Sequence, residues 1–378
     1  MTVVSRRVQP ATCPAIHDNF AGLRLFCRYE SEPKDVGGPY GGAPRSCAAV
    51  DGIELGVLFV TGVEKSGRPV LLFVMGAPRS GTSALTRVLS LCGAALPAKM
   101  AGADRNNQRG YWEPRESIHL NNKIVRRHNS TAFDPSLRLQ QDGAFDAAER
   151  AACIAEIREF LSTLPSAPVV VVKDGHVTLL SELWFEAARL SGFDIAVVIA
   201  VRPPQESIPS AAAAFHIPPE LGSPVWLKYS LLSERVTRDL PRVFVDYAKL
   251  LEDWRREVKR ISVALGIDLN TRDEGAVDDF LTPDLHRQSR TGPVPEPFGT
   301  DWFSVTHESM QAATRDEPVD QAALDRVFDA YRTSEQGFRV AFETYQRLYK
   351  INRVIRPSLL KLRHEIVALA HRRRGTWA

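Results

Sequence analysis

Residues 70–83 of the chain read VLLFVMGAPRSGTS. The apolar run that opens this stretch has the length and the uninterrupted hydrophobicity of a strand buried on both faces. After Thr82 the apolar residues recur at helical spacing, so the segment from Gly76 to Gly81 predicts a tight loop between a strand and a helix. Because a helix N-terminus presents free N–H groups and the positive end of its dipole, we expect this loop to bind an anion.

The loop carries side chains suited to a phosphate group. Gly76 and Gly81 let the backbone approach an anion closely, and Arg79 adds a permanent positive charge. The glycine spacing matches a Walker A loop, but Thr82 stands where that motif requires lysine. A magnesium-dependent kinase or other phosphoryl transferase is therefore the less favoured alternative. The same loop offers three hydroxyl donors: Ser80, Thr82 and Ser83.

Strand and helix patterns alternate after the loop. Short apolar runs predict strands at 169–172, 195–201 and 243–245. Helical spacing predicts helices at 146–164, 179–191 and 248–265. The alternation predicts a three-layer α/β fold with a central parallel sheet. Prolines and glycines then break the pattern, so the predicted units are an N-terminal extension at 1–68, an α/β domain at 69–290 and a helical C-terminal region at 291–378.

The composition argues against several classes of protein. A net charge of +3 over 378 residues gives no electrostatic reason to expect a nucleic acid as the partner. The five cysteines contain no CxxC pair, which argues against a zinc site and a disulfide framework and favours a reducing cytoplasm. No apolar run approaches the roughly 18 residues of a membrane span, and no signal-peptide core follows the N-terminus. We therefore expect a cytoplasmic protein without a metal.

Two motifs resemble those of the sulfotransferases that use 3′-phosphoadenosine 5′-phosphosulfate (PAPS). The run from Pro78 to Ser83 resembles their 5′-phosphosulfate loop, and the pair Arg202 and Ser210 resembles their 3′-phosphate motif. The resemblance covers about residues 69–290. It implies a P-loop-like fold, PAPS as the co-substrate, and transfer of a sulfuryl group to an acceptor hydroxyl. The residues it implies for binding the co-substrate are Gly76, Pro78, Arg79, Ser80, Gly81, Thr82, Ser83, Arg202 and Ser210.

Two residues compete for the role of the catalytic base, and Glu113 is the one expected to fill it, with His176 as its rival. Glu113 lies in a Gly-Tyr-Trp-Glu run similar to that of bacterial sulfotransferases, and a carboxylate with aromatic neighbours suits a base. A helix-capping role is its alternative. His176 ends the run Lys173-Asp174-Gly175-His176, which matches neither the Lys-x-His pattern of cytosolic members nor the Lys-Asp-Pro-Arg pattern of many bacterial ones. Lys173, which fits both patterns, is expected to stabilise the sulfuryl charge together with Arg79. A catalytically silent nucleotide-binding protein remains a further alternative.

The helix predicted after Pro357 is amphipathic and basic. Its stripe of Leu359, Leu362, Ile366 and Leu369 is expected to pack on the α/β domain or on a second subunit of an oligomer. The alternative is peripheral contact with the inner face of the membrane, since arginines flank the stripe. No motif identifies the acceptor. Arginine outnumbers lysine as in high-GC bacterial genomes, for which glycolipids, other lipids and secondary metabolites are natural small-molecule or lipid acceptors.

Overall fold

The computed structural model describes residues 67–271, 273–282, 294, 296–354 and 357–373. Except for its last two residues, the predicted N-terminal extension at 1–68 lies outside the described residues. Within the described ranges, a sheet of four parallel strands is formed by β1 (Val70–Met75), β2 (Val169–Val172), β3 (Asp194–Val201) and β4 (Arg242–Asp246). The predicted α/β fold with a central parallel sheet is confirmed.

The strand order is β2-β1-β3-β4, so β1 lies between β2 and β3. The chain leaves β1 for one side of the sheet and later returns to the other side. Ligands of open parallel sheets bind at such a reversal, outside the carboxyl ends of the strands. Because Met75 pairs with Ile199 in parallel register, the carboxyl ends of β1 and β3 lie at the same end of the sheet, which we call its carboxyl edge. The fold therefore places the glycine-rich loop at this edge.

Helices connect the strands and extend beyond them. In chain order the described α-helices are α1 (Thr82–Leu91), α2 (Arg115–Arg127), α3 (Ala147–Ser162), α4 (Ser181–Leu190), α5 (Pro204–Phe215), α6 (Pro219–Arg235), α7 (Tyr247–Glu252), α8 (Trp254–Leu265), α9 (Glu274–Phe280), α10 (Trp302–Ala313), α11 (Gln321–Val354) and α12 (Pro357–Arg373). The prediction of one helix over 248–265 is wrong. Asp253 interrupts it and is the N-cap of α8. Its carboxylate accepts a hydrogen bond from the backbone N–H of Arg256 in the first turn of that helix.

Both faces of the sheet are covered, because the side chains of β1 alternate between two apolar cores. Phe73 faces the core that contains Trp184 of α4, and its ring meets that indole edge to face with 6.2 Å between centroids. Leu72 and Val74 face the other core, to which α1 and α8 contribute. This two-sided burial explains why β1 reads as an uninterrupted apolar run.

The C-terminal region is helical, as predicted, and its first helices belong to the main core. Phe303 of α10 stacks on Trp226 of α6 with 5.3 Å between ring centroids, and Tyr331 of α11 is fully buried. The predicted boundary at 290/291 falls outside the described residues and stays a prediction. Among the helices that the structure describes, none combines the length and the hydropathy of a membrane span.

The stripe on α12 is not covered by the described part of the chain. Leu362, Ile366 and Leu369 are 52%, 57% and 58% exposed, whereas the side chain of Leu359 lies outside the described residues. Packing of this stripe on the α/β domain is therefore wrong for these three leucine and isoleucine side chains. The reason is that no described residue of α12 belongs to either apolar core.

Candidate active site

A cavity of about 500 Å³ lies along the edge where the strands end. Each strand contributes to its wall the residue or segment that follows its carboxyl end. Gly76 follows β1, Lys173 follows β2, Arg202 follows β3 and Tyr247 follows β4. The parallel topology alone thus brings together residues that are far apart in the sequence.

The glycine-rich loop at the end of β1 is tightly packed. A Cβ added to Gly76 would lie 2.6 Å from the carbonyl oxygen of Ala200, and one added to Gly81 would lie 2.1 Å from the ring of Tyr247. Both glycines have positive φ, as does Arg79 with a φ of 66°. Gly81 starts α1 without a side-chain cap, so the first-turn N–H groups of α1 face the cavity end of the helix. This geometry suits an anion.

The hydroxyl of Ser83 links the glycine-rich loop to Lys173, the residue that follows β2. This hydroxyl lies 3.4 Å from Nζ of Lys173 and 3.3 Å from the amide nitrogen of Asn107. The same ammonium group is 2.5 Å from Oε1 of Glu113, and it also donates to the carbonyl of Tyr111. The side chains of this ion pair are only 8% and 19% exposed. The predicted charge stabiliser and one predicted base are therefore direct neighbours.

Asp174 orients the other predicted base, His176. One carboxylate oxygen accepts hydrogen bonds from the backbone N–H and from Nδ1 of His176, at 2.9 and 2.8 Å. The other oxygen accepts hydrogen bonds from the hydroxyl of Ser117 and from the side-chain amide of Asn121. The side-chain oxygen of Asn121 in turn accepts from the indole N–H of Trp184. This chain of hydrogen bonds joins the carboxylate to the core and fixes the plane of the imidazole.

The two charges of this pair influence each other. Burial alone would lower the pKa of His176, but the hydrogen bond and the charge of Asp174 outweigh it and hold that pKa above its usual value. Burial would likewise raise the pKa of Asp174, yet its contacts with His176 hold it low. With the Nδ1 proton held by Asp174, neutral His176 keeps a lone pair on Nε2. Among the described residues, this buried nitrogen has no hydrogen-bond partner.

The second predicted phosphate site lies beside the loop. Arg202 is 6% exposed, and its Nη1 donates to the carbonyl of Arg79 at 3.1 Å. The guanidinium of Arg79 donates in turn to the hydroxyl of Ser210 at 3.2 Å. Glu206, one turn along α5, forms an ion pair of 2.9 Å with Arg202, and the ring of Tyr247 lies 4.9 Å from the guanidinium carbon.

The structure brings nearly all predicted site residues into one cavity. The exception is Ser80, which is buried within the loop and does not line it. The cavity wall contains the others: Gly76, Pro78, Arg79, Gly81, Thr82, Ser83, Glu113, Lys173, His176, Arg202 and Ser210. Among the described residues, no group of three or more His, Cys, Asp or Glu side chains is arranged to hold a metal ion.

Several contributors were not predicted. Asp174 lies two residues before His176, a spacing typical of a side chain that closes a turn onto the following backbone. Glu206 lies four residues after Arg202, in the first turn of α5, and this short separation along the chain brings an acid within reach of the arginine that follows β3. Both signals are local and visible in the sequence. Asn107 has none, because its contact with Ser83 depends on the tertiary path of the 101–114 segment.

No protein-family model and no curated protein matches the chain. Among solved structures, the sulfotransferase domain of the olefin synthase from Synechococcus PCC 7002 is similar at 17% identity. That alignment covers 71% of this chain and 96% of that domain, with a TM-score of 0.33. The sulfotransferase domain from the curacin biosynthetic pathway aligns at 12% identity over 66% of this chain and 99% of that domain, with a TM-score of 0.36. Similarities with TM-scores this low do not establish a function for this chain.

Proposed function

We propose that the chain is a PAPS-dependent sulfotransferase that transfers a sulfuryl group to the hydroxyl of a small-molecule or lipid acceptor in the cytoplasm, without a metal. The observation that carries the proposal is the hydrogen bond between Arg79 and Ser210. It joins the loop expected to bind the 5′ side of the donor to the motif expected to bind its 3′-phosphate. Two phosphates on one ribose require neighbouring sites, and these residues are neighbours.

The charges around the loop support this donor over a nucleoside triphosphate. A β,γ-cleaving enzyme relies on a loop lysine and on magnesium, whereas this loop has Thr82 and an arginine at position 79. Two guanidinium groups, of Arg79 and Arg202, line the cavity beside the helix N-terminus. Guanidinium groups bind phosphate and sulfate oxygens in a bidentate manner. A silent binding protein would keep these guanidinium groups but lack a base, so the imidazole of His176, oriented by Asp174, is the feature that argues against it.

Lys173 is the proposed electrostatic stabiliser. Its ammonium group lies between Ser83 of the loop and Glu113, within the cavity where charge develops during transfer. A cation there, together with Arg79, stabilises negative charge on the sulfuryl oxygens and on the leaving phosphate oxygen. Glu113 then holds Lys173 in place through Oε1.

The contacts favour His176 over Glu113 as the base. The imidazole is oriented by a carboxylate and retains a lone pair, the arrangement of bases that activate hydroxyl groups. In the proposed step the acceptor oxygen forms a bond to sulfur while its proton passes to Nε2 of His176. The bond between sulfur and the 5′-phosphate oxygen breaks, and its electron pair stays with the phosphate. The products are a sulfate ester and 3′,5′-adenosine bisphosphate.

The test of the function combines ligand binding with turnover. Adenosine bisphosphate and PAPS are expected to raise the melting temperature, whereas ATP with magnesium is not, because only the former carry the 3′-phosphate. Transfer is then measured as bisphosphate released in the presence of a hydroxyl acceptor. Stabilisation by ATP with magnesium alone would favour a phosphoryl transferase, and binding without turnover would favour a silent protein.

The test of the base compares two variants at saturating donor. His176→Ala is expected to lower kcat by roughly 10²- to 10⁴-fold, the usual effect of losing a positioned base. Glu113→Gln leaves the base in place and is expected to lower kcat by only about 10-fold, through its contact with Lys173. Donor affinity should change little in His176→Ala. The opposite ranking of the two variants would assign the base to Glu113.

A further inference from the structure

Part of the cavity wall is formed by a segment without helix or strand, residues 130–136, which we call the wall segment. It follows α2 and contributes Ala132 and Phe133 to the cavity. The ring of Phe133 packs on that of Phe215 at the end of α5, with 4.9 Å between centroids. Ile118 of α2 and Tyr229 of α6 also line the cavity, and we group these side chains as its apolar surface.

This apolar surface adjoins the catalytic groups. Ile118 follows Ser117, whose hydroxyl donates to the carboxylate of Asp174. The helix α6, which carries Tyr229, packs against the 175–178 turn that contains His176. Burial first, and then the negative charges of Asp174 and Glu113, raise the pKa of Tyr229. The apolar surface therefore lies next to the base.

Side-chain donors from outside the wall segment hold its backbone. The ammonium group of Lys228 donates to the carbonyls of Asp134 and Ser136, at 3.1 and 2.5 Å, and is fully buried. The hydroxyl of Tyr229 donates to the carbonyl of Ala132 at 3.0 Å. A segment without regular structure cannot satisfy its own carbonyls, so these donors determine its path.

The C-terminal region supplies a further donor. Tyr331 of α11 lies with its hydroxyl 2.5 Å from the carbonyl of Pro135 and 3.1 Å from that of Pro224 in α6. Arg138, just after the wall segment, forms an ion pair of 3.2 Å with Glu343 of the same helix. Among its described side chains, α11 contributes none to the cavity, and yet it fixes the segment that does.

We propose that this surface is the acceptor subsite and that it takes a hydroxyl group carried on an apolar, uncharged body, such as an aryl or alkyl alcohol. The inference rests on the proposed function. None of the residues that form the surface is charged: Ile118, Ala132, Phe133, Ala213, Ala214, Phe215 and Tyr229. A sugar placed there would bury hydroxyl groups without hydrogen-bond partners, which weakens its binding. Tyr331 and Lys228 are positioning residues for this subsite.

The first test uses 2-naphthol as the apolar acceptor and methyl glucoside as the polyhydroxyl one. In the presence of adenosine bisphosphate, 2-naphthol is expected to bind, and with PAPS its kcat/KM should exceed that of methyl glucoside by roughly 10²-fold. Phe133→Ser should weaken 2-naphthol binding about 10-fold and leave bisphosphate affinity unchanged. The control is Phe145→Ser, because Phe145 packs on His128 outside the cavity.

The outcomes separate this inference from the proposed function. If bisphosphate binds and methyl glucoside is the better acceptor, or if 2-naphthol fails to bind the bisphosphate complex, the subsite assignment is overturned and the donor assignment stands. If bisphosphate itself fails to bind, both are overturned. Equal effects of Phe133→Ser and Phe145→Ser would mean a loss of stability, and would also overturn the assignment.

The second test addresses positioning by α11. Tyr331→Phe removes only the hydroxyl that holds Pro135, so the KM for 2-naphthol should rise about 3- to 10-fold while kcat and bisphosphate affinity stay unchanged. Thr333→Val removes a hydroxyl of the same helix that donates to the carbonyl of Asp329 within that helix, and should change neither the KM for 2-naphthol nor the bisphosphate affinity. A purely structural role for Tyr331 would instead lower the melting temperature without a selective change in KM, and would overturn the positioning role.

Discussion

Nδ1 of His176 lies 2.8 Å from a carboxylate oxygen of Asp174 that is itself held by the backbone N–H of the same histidine. The ring and the backbone therefore share one acceptor, and the imidazole cannot rotate without losing it. This relationship makes the ionisation of His176 depend mainly on Asp174, whose hydrogen bond and charge raise the histidine pKa against the effect of burial, with a smaller contribution from the charge of Glu113.

The pH profile should report this pair. A base has to be neutral to accept a proton, so kcat/KM should rise with pH through the pKa of His176, above the usual value of 6.5. In Asp174→Asn the larger raising charge is gone and only the smaller effect of Glu113 opposes burial, so the inflection should move to lower pH and the plateau should fall roughly 10²-fold or more. A profile measured from pH 5 to 9 decides. An unmoved inflection would exclude His176 as the titrating group.

Donor affinity should depend on the charge balance at Arg202. Arg202→Ala is expected to weaken the binding of adenosine bisphosphate by roughly 10- to 100-fold, because one charge-assisted contact is lost. The binding of AMP should weaken far less. Glu206→Gln is the matched variant, since it removes the carboxylate that pairs with Arg202 and should strengthen bisphosphate binding. Calorimetry with both nucleotides measures this. Equal losses for bisphosphate and AMP would remove Arg202 from the 3′-phosphate site.

Gly81 should not tolerate a side chain. Gly81→Ala places a methyl group against the ring of Tyr247 at a positive φ, so the loop has to shift and bisphosphate binding should be lost. Gly143→Ala is the control, because Gly143 also has a positive φ but nothing within 4 Å of an added Cβ. It should lose only about 1 kcal/mol of stability and keep full binding. Wild-type affinity in Gly81→Ala would contradict the packing described for this loop.

The exposed face of α12 is expected to bind anionic membranes. Leu362, Ile366 and Leu369 are uncovered within the described chain, and each basic residue near an anionic surface adds about 1 kcal/mol. In flotation with phosphatidylserine vesicles at low salt, the full chain should float and a chain truncated after Arg356 should not. Replacement of the three apolar residues by serine is the control that keeps the charges. If the full chain instead forms a dimer that truncation abolishes, the face binds a second copy.

The sheet and its loop were predictable because their signals are local. The run at Val70–Met75 is buried on both faces, and the glycines after it meet a steric need that only glycine satisfies. The helices α5 and α6 were not predicted. Pro209 and Pro224 lie inside them, and prolines at such positions remove the usual helix signal.

The acceptor side of the site was beyond sequence reasoning for a different reason. The wall segment has no periodicity, and its path depends on donors far away along the chain, such as Tyr331. The break at Asp253 was missed because the apolar spacing continues across it. Contacts between residues far apart in the sequence therefore determine the parts of the structure that local sequence patterns do not predict.

Lys228 makes the fold less stable at neutral pH than it would be without a buried ammonium group. Burial lowers the pKa of this lysine from 10.5 to about 8, so the unfolded chain binds its proton more tightly than the folded chain does. At 1.36 kcal/mol for each pKa unit, the cost is about 3 kcal/mol below pH 8, and it is relieved as pH rises from 8 toward 10.5. The same amine supplies the donors to Asp134 and Ser136. The placement of a few carbonyl groups beside the cavity is thus obtained at the expense of global stability.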